Sequence, residues 1–305
     1  MNVLSLFDGL SSGRIALDRA GIKVTNYFAS EIDKYAIKVS QHNWNDVTHI
    51  GDVTKISYRN GTLHTEVGEF QVGKIDLVIA GSPCQGFSMA GKQLAFDDER
   101  SKLYFEFERI LEEIRAENAD VKFLLENVKM KQEYKDVITE RLGVSPVAIN
   151  SNLVSAQNRY RLYWTNIGGI TQPEDRGILL RDILQDVVDG KYSITHFVGG
   201  VPRSNYVQFN LNGKGNNSQS QRCYYVTSKS SCLDCSAVAI IIDRGLVRKL
   251  TPEECEKLQT VPVGYTSCVS DSQRYKMLGN GWTVDVIAHI LKQSLLTNTI
   301  SHYKI

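Results

Sequence analysis

The 305-residue chain carries 35 Lys or Arg against 34 Asp or Glu, a formal charge of +1, and is 42% hydrophobic, enough for a sizeable core in one large domain or a large one with a small companion. Its start, MNVLSLFDGL, lacks a basic leader, and the longest apolar run of its C-terminal half, 237–242, is too short for a bilayer, so a soluble cytoplasmic protein with no membrane partner is expected. Six cysteines, scattered at 84, 223, 232, 235, 255 and 268, exclude a disulfide scaffold and fit a reducing compartment.

From the first residues, short β-rich runs alternate with helical patterns. NVLSLF (2–7) reads as a strand, SSGRIALDRAG (11–21) as a helix, VTNYFAS (24–30) as a strand and DKYAIKVSQHN (33–43) as a helix. VTHIGDV (47–53) follows as a strand edge, IDLVIAG (75–81) as a buried strand, SKLYFEFERILEEIRAEN (101–118) as a long helix and VKFLLEN (121–127) as another buried strand. Such alternation predicts βαβ units, and so an α/β fold with a mostly parallel sheet covered on both faces. After Gly169 the pattern breaks into isolated short strands and a polar stretch, NLNGKGNNSQSQRCYYVTSKSS (210–231). The tail returns to helix: TPEECEKLQ (251–259) opens with a Thr cap and acids in its first turn, and WTVDVIAHILKQSLL (282–296) has apolar residues at helical spacing.

The near-neutral total hides a basic block. Between 191 and 249 the Lys and Arg residues at 191, 203, 214, 222, 229, 244, 248 and 249 face only Asp234 and Asp243, a local +6 that leaves about −5 elsewhere. Such a block is either a solvated surface or a phosphate-facing module. Cys232 and Cys235 form a CxxC close to Cys223, but no second close pair completes four zinc ligands, so no metal site is expected.

The residues suited to chemistry fall at strand ends. FDGLSSG (7–13) joins the first strand to the first helix, and Glu31 ends the second strand; a plain βα turn and a nucleoside-cofactor loop both fit. A carboxylate at Asp8 would repel a pyrophosphate and favour a cationic amino group, which tilts the cofactor reading from a dinucleotide toward S-adenosylmethionine. Asp52 in IGDV is either a turn-capping acid or an acceptor for an adenine amino group. Cys84 leaves the strand IDLVIAGS through Pro83 into a Gly-bearing polar loop, where a thiol is accessible rather than packed. Glu126-Asn127 ends the next strand on the same side, as an acid turned to water or one held for proton transfer. Gln157, Arg159 and Arg161 alternate as on one face of a strand, an exposed face or a planar donor array.

In this order the blocks FDGLSSG, Ser30-Glu31, GDV (51–53), SPCQGFS (82–88), ENV (126–128), QNRYR (157–161), RKLTPEE (248–254) and LGNGWTV (278–284) resemble the DNA (cytosine-5)-methyltransferase family over nearly the whole chain. The cysteine loop is similar to those of bacterial and phage members, and SLFDG, LYFEF and LGNGW to the catalytic region of the vertebrate de novo enzymes. The resemblance implies a Rossmann-like S-adenosylmethionine-dependent catalytic domain over 1–170, a small β-rich target-recognition domain over 171–247 and a segment, 248–305, returning to the first. It implies Cys84 as nucleophile toward a flipped cytosine in duplex DNA, Glu126 at the N3 side and amino group, and Arg161, with Arg159, at the carbonyl oxygen. Phe7, Asp8 and Gly9 would line the methionine end of the cofactor, Glu31 its ribose, Ile32 the adenine face and Asp52 and Val53 the adenine edge, with Asn280 and Trp282 closing the pocket. Pro83, Gln85, Ser88, Asn127 and Gln157 would contact the substrate, Gln85 to Lys92 acting as a lid. Gly281 stands where most relatives have Ser, which puts that one cofactor contact in question. A cognate restriction endonuclease is an implied partner. The rivals are methylation of transfer RNA, an inactive DNA-binding relative and a dinucleotide oxidoreductase.

Overall fold

The structure, a computed structural model, describes residues 1–83, 99–194, 200–209, 222–234 and 239–301. Cys84, Gln85 and Ser88, with the rest of the expected lid, lie outside the described residues. The chain divides into two compact units, one of residues 1–149, 160–172 and 287–305, the other of 150–159 and 173–286.

In the first unit, the apolar runs become strands β1 (Asn2–Leu6), β2 (Asn26–Ser30), β3 (Val47–His49), β7 (Leu77–Gly81) and β8 (Lys122–Val128), joined by α1 (Ser12–Arg19), α2 (Lys34–Asn43) and α3 (Glu99–Glu117). With β9 (Val147–Asn150) and β10 (Tyr160–Thr165) they form a seven-stranded sheet in the order β3-β2-β1-β7-β8-β10-β9. The pairs β1–β2, β2–β3, β1–β7 and β7–β8 are parallel, and β10 runs antiparallel to β8. Parallel strands buried on both faces need apolar side chains at every position, hence runs such as LVIAG in β7. Leu4, Leu6, Val78, Phe123 and Leu125 of the sheet pack with Phe107, Ile110, Leu111 and Ile114 of α3 in one core.

Several elements here have no counterpart in the sequence reading. Helix α4 (Gln132–Leu142) is closed by Gly143 at φ +70°, the left-handed cap that glycine takes at least cost. Strands β4 (Ser57–Arg59), β5 (Thr62–Thr65) and β6 (Gly68–Gln71) form a separate antiparallel sheet. Between β4 and β5 the two-residue turn Asn60-Gly61 has φ +50° and +70°, the positive pair a type I′ hairpin requires. Helix α3 holds this sheet: Arg109 donates to the Ile56 carbonyl (2.7 Å), Glu113 accepts from the Tyr58 amide (2.8 Å), and Glu117 accepts from those of Asn60 and Gly61.

The second unit contains strands β11 (Gly200–Pro202), β12 (Tyr206–Phe209), β13 (Arg222–Tyr225), β14 (Ile240–Asp243) and β15 (Leu246–Lys249), paired in that order, with helices α5 (Pro252–Leu258) and α6 (Asp271–Asn280). Helix α5 starts as the sequence suggests: Thr251 Oγ1 accepts from the Glu254 amide, and Glu254 accepts from the Thr251 amide. Arg248, buried, forks onto Glu254 at 2.8 and 2.9 Å and onto Asp243, and Arg274 joins Glu253, Glu256 and Thr266. These buried pairs keep 248–286 with β14 and β15, so only 287–305, carrying most of α7 (Val284–Ser301), falls in the first unit. That boundary differs from the expected one at 248.

Four of the eight cations of the +6 block are engaged within this unit. Arg248 is buried against Asp243 and Glu254, Lys229 donates to the carbonyls of Asn152 and Ser155, Arg244 donates to those of Gln185 and Asp186, and Lys191 pairs with Asp271. Arg203 and Lys249 stand exposed.

Candidate active site

Strand β1 lies between β2 and β7, and the strand order reverses there, which in open α/β sheets places ligands at the carboxyl ends of those strands. Phe7–Gly9, Glu31, Asp52, Pro83 and Glu126 all follow or end strands on that edge. Phe7 has φ +58°, an outlier for a bulky residue and of the kind that gathers at binding sites. The turn is stitched to β2: the Asp8 amide donates to the Ser30 carbonyl (3.0 Å), and the Gly9 amide donates to Glu31 Oε2 (2.8 Å). Glu31 Oε1 accepts from the amides of Ile32 and Asp33, both at 2.8 Å. Ile32 is 75% exposed, an apolar side chain offered to solvent beside this acid.

The Asp8 carboxylate turns inward, onto hydrogen bonds within the unit. Its Oδ1 accepts from the Tyr27 hydroxyl (2.7 Å) and its Oδ2 from that of Ser11 (2.5 Å), and the residue is buried. Burial pushes its carboxyl up to about 6, against hydrogen bonds from Ser11, Ser5 and Tyr27 and with the nearby charge of Glu31 acting in the same direction as burial. The folded state therefore holds this proton more tightly than the unfolded chain, and the stabilisation, full at low pH, is lost as pH rises through about 6. Relative to Asp8→Asn, the wild-type protein is expected to lose about 2 kcal/mol of stability between pH 4 and pH 7. Urea denaturation of both at each pH measures this, and parallel stability curves would contradict it.

At the GDV turn, Asp52 Oδ1 accepts from the Thr54 amide (2.9 Å), which leaves Oδ2 as an acceptor, and Ser30 Oγ donates to the Gly51 carbonyl (2.8 Å). The Val53 side chain is packed into the core, which leaves only its backbone at the turn.

Glu126 sits on β8 in register with Gly81 of β7, three residues before Cys84. Arg161, on β10, reaches it with Nε at 2.8 Å from Glu126 Oε1, both side chains being largely buried. Asn127, also buried, donates to Ser82 Oγ (3.2 Å) and accepts from the Val128 amide (2.8 Å), which ties the ends of β7 and β8 together. Pro83 is half-buried at the start of the cysteine loop.

Gln157 and Arg159 do not share a strand face with Arg161, because β10 begins at Tyr160 and both precede it in the second unit. Gln157 is fully buried, donating to the Leu258 carbonyl and Gln259 Oε1 and accepting from the Leu233 amide. Arg159 donates to the carbonyls of Leu233, Gly279 and Gly281 and to Cys232 Sγ. Seven hydrogen bonds, five of them to backbone, make these two residues clamps within their unit, a role their alternation in sequence does not reveal. Asn280 is exposed at the end of α6 and Trp282 is buried, both in the second unit.

Among the described residues no cluster of His, Cys, Asp and Glu suits a metal ion, and no helix is long and apolar enough to cross a membrane. The fold is that of the S-adenosylmethionine-dependent methyltransferases. The structure of the S. pombe Dnmt2 methyltransferase aligns with a TM-score of 0.72 at 19% identity over 98% of this chain and 99% of that one. The Entamoeba histolytica methyltransferase EhMeth aligns with a TM-score of 0.74 at 16% identity over 98% of each. In sequence, the C-5 cytosine-specific DNA methylase family matches residues 1–167 and 191–295. The Type II methyltransferase M1.ScrFI of Lactococcus lactis subsp. cremoris is 32% identical over 96% of this chain and 77% of its own, and M.NlaX of Neisseria lactamica 31% over 95% of each. The chain belongs to the C-5 cytosine-specific DNA methylase family, whose methyl donor is S-adenosyl-L-methionine.

The residues at the carboxyl edge fit that donor. The acceptors on Glu31 and Asp52 suit hydroxyl and amino groups, the exposed Ile32 suits a planar base, and a carboxylate-rich edge favours a cationic sulfonium over the pyrophosphate of a dinucleotide.

Proposed function

We propose that this protein methylates carbon 5 of a cytosine flipped out of a specific duplex DNA sequence, through a covalent adduct on Cys84. Bound at the edge built by Phe7, Gly9, Glu31, Ile32, Asp52 and the Val53 backbone, the cofactor supplies an electrophilic methyl on a cationic sulfur. The Cys84 thiolate adds to carbon 6 of the base, opening the 5,6 double bond. Glu126 holds N3 and the amino group and supplies a proton to N3 as charge builds there, and Arg161 holds both Glu126 and the carbonyl oxygen. Carbon 5, now nucleophilic, takes the methyl as its bond to sulfur breaks and S-adenosylhomocysteine leaves; loss of the carbon 5 proton to a solvent base, expulsion of the thiolate and return of the N3 proton to Glu126 restore the double bond and the neutral base. Asn127 and Pro83 shape the mouth of the site, and Gln85 and Ser88 contact the DNA. Arg159 and Gln157 act by holding the backbone of their own unit.

The observation that carries the reading is the Glu126–Arg161 pair, on the strand in register with the one that leads into Pro83-Cys84. Sequence recognition is assigned to the 171–247 region, with the exposed Arg203, and Lys249 just beyond its end, placed to meet phosphates. Acting in the cytoplasm of a bacterium or a phage-infected cell, the modification would protect DNA from a cognate endonuclease. Incubation with tritiated S-adenosylmethionine and either duplex DNA or transfer RNA tests the substrate: label is expected in DNA, and label in transfer RNA alone would overturn the reading.

A further inference from the structure

We infer that the three-stranded sheet β4–β6 is part of the cofactor site and that Glu66, at the tip of its second hairpin, is a positioning residue for the adenosine end. The inference rests on the reading that Asp52 and Val53 meet the adenine edge. Chain reversal between Thr65 and Gly68 places Glu66 at this tip, and its Oε1 accepts the Asp52 amide at 2.8 Å, across 14 residues of sequence. The approach is close enough that a Cβ on Gly51 would fall 2.2 Å from that oxygen, and Gly51 itself stands at φ +81°, so the GDV turn is shaped to admit the carboxylate. The hairpin's other end is fixed on α3 by Arg109, Glu113 and Glu117. A surface hairpin anchored at its root thus ends on the backbone of the residue whose side chain meets the cofactor. With Thr54 holding Oδ1, Ser30 holding the Gly51 carbonyl and Glu66 holding the Asp52 amide, the turn is fixed from three sides, and Asp52 Oδ2 stays aimed without reorganisation on binding. Glu66 acts through Asp52 and touches no reacting atom, so its removal weakens cofactor binding without slowing the saturated reaction.

Calorimetric titration of S-adenosylhomocysteine into the wild-type protein, Glu66→Ala, Glu66→Gln and Asp52→Ala, with melting curves and kcat at saturating cofactor, tests this. Glu66→Ala is expected to raise Kd about tenfold with kcat and melting temperature nearly unchanged, as loss of a charge-assisted hydrogen bond predicts. Glu66→Gln, which keeps an acceptor oxygen, is expected to restore most of the affinity. Wild-type affinity in Glu66→Ala beside weakened binding in Asp52→Ala would overturn the role of Glu66 and leave the adenine-edge reading standing. Equal loss in Glu66→Ala and Glu66→Gln would overturn the hydrogen-bond account, and unchanged affinity in Asp52→Ala would overturn both readings.

Discussion

Cys84→Ser is expected to lower methyl transfer by at least about 10³-fold while S-adenosylhomocysteine binds within about twofold of wild type. Cytosine is a poor nucleophile at carbon 5 until carbon 6 carries an electron-rich substituent, and a serine hydroxyl, far weaker than a thiolate, cannot supply that addition. The proposed cofactor edge lies on β1, β2 and the GDV turn, none of which includes the thiol, so binding and chemistry should separate. Single-turnover transfer to duplex DNA, read beside calorimetry on the same preparation, measures both. A variant that retains transfer near the wild-type rate would refute the nucleophile assignment.

Glu126→Gln should reduce kcat by about 10²- to 10⁴-fold, the range a positioned acid contributes, with a smaller effect on KM for DNA. Glutamine keeps an oxygen for Arg161 at nearly the same place, so the fold around β8 and β10 should hold and the loss should report proton transfer. Arg161 is mostly buried, and Glu126→Ala would leave its charge without this partner, which makes Gln the cleaner probe. A kcat within about threefold of wild type would show that Glu126 does not act as the acid.

Much of the fold was legible because its central strands obey a simple constraint. Most side chains of β1, β2, β7 and β8 are buried, and the sequence therefore carries these strands as largely apolar runs. The same logic located Glu31, Pro83 and Glu126, since each is where such a run stops. The β4–β5 hairpin was also written locally, in Asn60-Gly61, but its strands are short and half exposed, so the turn signal had no apolar alternation to support it. α4 was passed over although Gly143 marks its end, because only Ile138 and Leu142 of its residues are buried and its apolar stripe is thin.

What the sequence could not carry are pairings between distant residues. Nothing near Glu66 indicates that its carboxylate reaches Asp52, and nothing near Asp8 indicates that Tyr27 and Ser11 claim its oxygens from within. The basic block shows the same limit: formal charge is counted along the chain, whereas the partners of Arg248 and Lys229 are brought in by folding. Gln157 and Arg159 repeat the lesson, since a period of two is expected of a strand face but is equally met by residues just outside a strand, turned into the interior.

The most direct test of the Cys84 mechanism uses duplex DNA in which cytosine is replaced by 5-fluorocytosine. Fluorine cannot leave carbon 5 as a cation, so once the thiolate has added to carbon 6 and the methyl has been transferred, the thiolate cannot be expelled. With S-adenosylmethionine present, a denaturation-stable protein–DNA complex is expected, and proteolysis with mass spectrometry should find the modified base on Cys84. Methylation of ordinary duplex DNA with no such complex on the fluorinated duplex, or an adduct on a cysteine other than Cys84, would contradict the account.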